Sequence, residues 1–150
     1  MTREVLAAQD AEDLKVISAA LQDAVARVGD LVWLPKSRRF AALFNRFKWE
    51  AAEGKRGKGR NLRVRSGLHF NSVLSVKSHK IRLGAPDAVL SLLAIRFTPR
   101  AQDDPAGTVE LDFAGGGMIR LEVECIEAAL ADVSGPWAAR GRPAHDIEEA

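Results

Sequence analysis

The chain has 150 residues, a single cysteine, 28% charged and 47% hydrophobic residues, and a formal net charge of +2. That length predicts one domain over residues 1–150, with an ordered core from about residue 8 to about 137 and a tail over 138–150. Cys125 alone excludes an intramolecular disulfide framework, no apolar run approaches the roughly 18 residues of a spanning helix, and the opening residues lack the plan of a signal peptide. A cytoplasmic protein without membrane insertion is expected.

The small net charge conceals segregation. From Lys36 to Arg82, fourteen Lys and Arg residues stand against Glu50 and Glu53, a local +12 that leaves −10 for the flanks. Central strands that turn their cations to solvent account for such a pattern, and so does an anion-binding face.

Asp10 is placed to cap a helix from Ala11 to about Leu21, with Glu12 and Asp13 in its first turn and Leu14, Ile17 and Leu21 as its apolar stripe. Val25 to Val28 and Leu31 to Leu34 read as short strands around a Gly29-Asp30 break, the second stopped by Pro35. After the polar turn Lys36 to Arg39, Phe40 to Trp49 reads as a strand of mixed parity. Leu43, Phe47 and Trp49 share one side and Phe40 and Phe44 the other, which implies cover on both sides near its start or a bulge, with a helix as the competing reading. Glu53 to Arg60 holds three glycines and four cations in eight residues, the composition of an exposed loop. No Gly-Lys-Ser/Thr opens a helix after it, so it is not a phosphate-binding P-loop.

Leu62 to Phe70 and Val73 to Lys77 follow as two strands with a tight turn or a bulge at Asn71-Ser72. His69 and His79 lack further ligands at zinc spacing and His145 lies in the tail, so no metal site is expected. After a connection from Ser78 to Asp87, Val89 to Phe97 is nearly continuous in apolar character and predicts a central strand covered on both faces. The polar loop Thr98 to Gly107 then leads into the clearest hairpin. Val109, Leu111 and Phe113 alternate with Glu110 and Asp112, and beyond Ala114 to Gly117, Ile119, Leu121 and Val123 alternate with Arg120, Glu122 and Glu124.

From Cys125 the spacing of Ile126, Ala129, Leu130 and Val133 predicts a short helix over the sheet, ended at Ser134-Gly135-Pro136, with Trp137 docking back. The sum is an α+β fold: a predominantly antiparallel sheet, curved or a partly open barrel, of about seven or eight strands, with an N-terminal and a short C-terminal helix. That plan is like the one of pleckstrin-homology-type domains.

The run from Gly115 to Ala128, together with Asp10-Ala11-Glu12-Asp13-Leu14, Leu21-Gln22-Asp23-Ala24-Val25 and Asn45-Arg46-Phe47-Lys48-Trp49-Glu50, resembles an alphaproteobacterial family known as domain of unknown function 2948. The resemblance spans nearly the whole chain and implies one domain. It brings no reaction, cofactor or catalytic residue.

Of the function classes, a non-catalytic binding module comes first, with an anionic partner such as nucleic acid or nucleoprotein. Arg38, Arg39, Lys55, Arg56, Lys58, Arg60, Arg63 and Arg65 are its expected anion contacts, and Trp49 or Phe70, if exposed, would stack on a base. A protein-interaction module is second, taking a peptide along an open sheet edge or between strand and helix. A hydrolase comes last: Asp112, Glu122 and Glu124 share the outward side of one hairpin, where two could face each other as acid and base. With no nucleophile elbow, dinucleotide fingerprint or metal-ligand cluster, no catalytic residue and no cofactor are assigned.

Overall fold

Hydrophobic alternation with period two dominates the chain, and strands dominate the fold. A computed structural model describes residues 5–48, 62–134 and 137–138. Its strands are β1 (Val5–Ala8), β2 (Val25–Arg27), β3 (Leu31–Leu34), β4 (Arg39–Phe47), β5 (Leu62–Phe70), β6 (Val73–His79), β7 (Val89–Pro99), β8 (Gly107–Phe113), β9 (Met118–Val123), β10 (Ala128–Asp132) and β11 (Trp137–Ala138). The α-helix, α1, spans Ala11–Ala20. The strands form one open antiparallel sheet in the order β1-β10-β5-β4-β2-β7-β8-β9-β6, with β3 beside β4 and β11 beside β5. Its first half is β1, β10, β5 and β4 with β3 and β11 attached; its second half is β7, β8, β9 and β6. The short strand β2 joins them by pairing with both β4 and β7.

The inner faces of both halves share one apolar core with α1. Phe40, Phe44, Leu68, Phe70 and Leu130 come from the first half, and Leu92, Val109, Leu111, Phe113, Ile119 and Leu121 from the second. The helix starts as its sequence requires, with the Asp10 carboxylate accepting from the Asp13 N–H at 2.8 Å. Leu14, Ile17 and Leu21 are its buried stripe. Ser18 lies beside that stripe and its hydroxyl accepts the Ile95 N–H at 2.9 Å, tying α1 to β7.

Several expectations change. The predicted C-terminal helix is a strand: β10 pairs with β1 on one side and β5 on the other, and Ala128, Leu130 and Asp132 point inward. Its alanines are small enough for either spacing, and two flanking ladders supply backbone hydrogen bonds that decide for the strand. With β1 and β11 this raises the described strands to eleven and removes the C-terminal helix on which the pleckstrin-homology-like plan rested.

The mixed parity of β4 conceals neither a bulge nor a helix, because its register with β5 runs unbroken from Phe40↔Phe70 to Phe47↔Arg63. Phe40 and Phe44 are inward, and Leu43 lies half-buried on the outer face. On β7 the continuous apolar run reflects a bulge rather than two-sided cover. The register shifts between Leu92 and Ala94, so Leu92 and Ile95 both point inward while Leu93 is half exposed. Finally, β5 and β6 are consecutive but not a hairpin, since β5 stays in the first half and β6 pairs with β9 in the second.

The β8–β9 hairpin does form as predicted, and β7 pairs with β8 to make a meander of the three. Gly115 takes a φ of +87° in the turn between β8 and β9, a conformation that a β-carbon would strain. At Gly107, a β-carbon would fall within 2.3 Å of the Thr98 carbonyl oxygen, so the pairing of β7 with β8 demands glycine there.

Candidate anion-binding face

Because side chains alternate along a strand, the register assigns each expected contact to a face. Arg39 lies on β4 opposite the parity of Phe40, and Arg63 and Arg65 lie on β5 opposite that of Val64, so all three occupy the outer face of the first half. Arg39 donates its Nε–H to the Asn71 side-chain oxygen at 2.9 Å, and Arg65 donates to the Asn45 side-chain oxygen at 3.2 Å. Neither has an ion pair among the described residues. Arg63 is half-buried and donates to the Asn45 carbonyl at 3.4 Å. Arg38 does not join them: it takes a left-handed backbone with φ 54° and turns its guanidinium to Glu124 at 3.2 Å. Lys55, Arg56, Lys58, Arg60 and Trp49 lie outside the described residues.

Between Arg39 and Arg65 the outer face is small and apolar. One row across the strands reads Val32, Ala41, His69, Ala129, Ala7 and the next Leu43, Gly67, Ala131, Val5. Around this floor Val5 is 61%, Leu34 44%, Val32 42% and Val133 42% exposed. Aliphatic side chains beside unpaired guanidiniums form a surface with both apolar and cationic character. His69 sits within it, and its pKa is lowered, first by burial and then by the Arg39 charge, against the opposing pull of Glu127. Phe70 is fully buried in the core and cannot stack on a base.

The outer face of the second half is different in kind. Arg96, Glu110, Arg120 and Lys77 form one row across it. Arg96 reaches Glu110 at 2.5 Å and Asp112 at 2.7 Å, and Arg120 reaches Glu110 at 3.5 Å. Asp112 and Glu122 do not meet as acid and base. Asp112 faces Met118, Glu122 faces Thr108 and accepts its hydroxyl at 2.9 Å, and Glu124 is held by Arg38.

The neighbouring carboxylates on this face are instead Glu110 and Asp112, two residues apart on β8. Burial pushes Asp112 up, helped by the hydrogen bond with Glu110 and its charge, while Arg96 opposes. Glu110 is held low, first by the hydrogen bond with Asp112 and also by Arg96. No group of three or more metal-ligating side chains occurs among the described residues.

Sequence reasoning missed a third arrangement. Arg46, Ser66 and Asp132 lie on the inner face of β4, β5 and β10, with Arg46 only 2% exposed. The Arg46 guanidinium donates to Ser66 at 3.0 Å and to Asp132 at 3.2 Å, and the Ser66 hydroxyl donates to Asp132 at 2.7 Å. A signal was present, since Arg46 shares the inward parity of Phe40 and Phe44. Its partner is concealed because the spacing from Cys125 to Val133 places Asp132 on a helix. Enclosed within the sheet, this network is architecture rather than a binding site.

The family profile described as "Protein of unknown function (DUF2948)" matches residues 5–145. The chain belongs to this family. The DUF2948 match covers every described element, from β1 to β11. No curated protein and no solved structure matches the chain. No described helix is long and apolar enough to cross a membrane.

Proposed function

We propose that this DUF2948 chain is a non-catalytic binding module that takes an anionic partner on the outer face of β4, β5 and β10. One observation carries the reading: Arg39 and Arg65 stand on that face without ion pairs among the described residues, steadied by the side-chain oxygens of Asn71 and Asn45, while the cations Arg96 and Arg120 on the other half face carboxylates. A guanidinium fixed by a neutral acceptor keeps its charge and remaining donors for a ligand. The second reading, a protein-interaction module, is favoured by the exposed Val5, Val32, Leu34 and Val133 around the same arginines. The two meet in an anionic protein partner.

The test is binding of labelled duplex DNA, single-stranded RNA and poly-L-glutamate across a salt series, for the wild type and for Arg39→Ser/Arg65→Ser. At least one probe binds, with an affinity that falls steeply with salt and that the double variant loses; each phosphate contact to duplex DNA contributes a slope of about −0.9. Absence of binding at low salt, or identical binding by the variant, overturns the reading.

A further inference from the structure

We infer that the partner is a protein, and that it presents an extended segment with two carboxylates six residues apart and apolar side chains between them on the same side. This rests on the binding face proposed above and specifies its occupant. Arg65 sits beside Asn45, its register partner on β4, and Asn45 is six residues from Arg39. At the rise of a β-strand the two cations are therefore roughly 20 Å apart along the strand direction. Between them the floor is made by Ala41, Leu43 and Gly67, with Val32 beside Ala41 on one side and His69 beside it on the other.

An extended chain laid along β4 and β5 has the same rise, and its alternate residues face the sheet. Carboxylates at its first and seventh positions would fall on Arg39 and Arg65, and apolar side chains at the third and fifth would fall on the floor. Small residues at Ala41 and Gly67 let the segment's backbone approach the sheet, and the exposed valines and Leu34 bury aliphatic area against it.

The other occupants fit less well. A second copy packed through this face with its two-fold axis along or across the strands brings arginines against arginines. Nucleic acid carries a charge every few ångströms, whereas on this face the exposed Arg39 and Arg65 stand apart across a largely apolar floor, so aliphatic side chains would be left against phosphate and sugar.

The experiment titrates the full chain into a labelled peptide Thr-Glu-Thr-Val-Thr-Leu-Thr-Glu-Thr and into a shifted peptide in which the second glutamate is moved by one position, onto the opposite side. Single-stranded RNA is run in parallel. The proteins are the wild type, Arg39→Ser/Arg65→Ser, and Arg96→Ser/Arg120→Ser as a control of equal charge change. The in-register peptide binds at least tenfold tighter than the shifted one, and only the Arg39/Arg65 variant removes that preference. Equal binding of the two peptides overturns the inference. Binding of RNA but of neither peptide, lost in the Arg39/Arg65 variant, also overturns it while leaving the anionic-partner reading standing. No binding of any probe at low salt removes both.

Discussion

The two halves of the sheet place their charges on opposite sides. In the second half the buried inner-face residues are all apolar, among them Leu92, Ile95, Val109, Leu111, Phe113 and Leu121, and Arg96, Arg120, Glu110 and Asp112 pair on the outer face. In the first half the Arg46–Asp132 pair is buried inside, and the outer face keeps Arg39 and Arg65 without ion pairs among the described residues, above a floor of mostly small residues. A surface whose charges neutralise one another offers little to a charged partner, while one with fixed, unneutralised cations and exposed aliphatic groups offers both long-range attraction and area to bury. The difference separates a face finished within the chain from one that a partner would complete.

The comparison is broken most forcefully from the inside. Asp132→Ala removes the buried carboxylate that faces the Arg46 guanidinium and is expected to cost several kcal/mol, up to about 3–5. Urea unfolding reads this as a lowered midpoint, and a loss below about 1 kcal/mol would show that the buried pair does not organise the first half. Removing an exposed partner from the second half acts differently: Arg96→Gln leaves the unfolding midpoint nearly unchanged, because exposed ion pairs are screened by water and salt. Its signature is electrostatic. Arg96 lowers both carboxyl pKa values, so carbon-detected NMR titration should show Glu110 and Asp112 both moving up in the variant.

A smaller effect lies in the pH dependence of stability. The folded pKa of Asp112 is above its ordinary 3.8, so its contribution to stability grows as pH falls through the folded value toward 3.8. Glu110 is depressed from 4.5, and its contribution is lost as pH falls from there through its folded value. Asp112→Asn deletes the first of these opposing terms, so acid unfolding of the variant becomes steeper within that window; an unchanged profile would contradict the assignment. The smallest shift is expected on the open face. Arg39→Ser removes a charge that lowers His69, so the His69 pKa rises while remaining below 6.5, because burial, the larger cause, persists. Proton NMR of the imidazole checks it.

Legibility in the sequence followed the strength of the local pattern. The α1 cap and stripe and the β8–β9 hairpin were readable because polar and apolar residues recur there at one clear period, and the short strands β2 and β3 because Gly29-Asp30 and Pro35 delimit their apolar runs. Strand β10 was not, since alanine satisfies both periods and only pairing with β1 and β5 selects between them. The bulge in β7 converted a parity change into an apparent two-sided run. For the site, parity alone put Arg63 and Arg65 on one side of their strand, whereas Arg39 read as the end of a turn and joins their face only because β4 begins one residue earlier. That Asn71 and Asn45 hold two of them, and that Arg38 leaves for Glu124, depends on contacts between residues from 20 to 86 positions apart in the chain. The apolar floor was unreadable because Ala7, Ala41, Ala129 and Ala131 become neighbours only once the strand order is known.

The most direct test compares two variants that each remove two positive charges, Arg39→Ser/Arg65→Ser and Arg96→Ser/Arg120→Ser, in fluorescence-anisotropy titrations of labelled poly-L-glutamate at low salt. The account predicts at least a tenfold loss of affinity in the first variant and wild-type affinity in the second. Equal losses in both would mean that binding follows net charge rather than a face, and would contradict it.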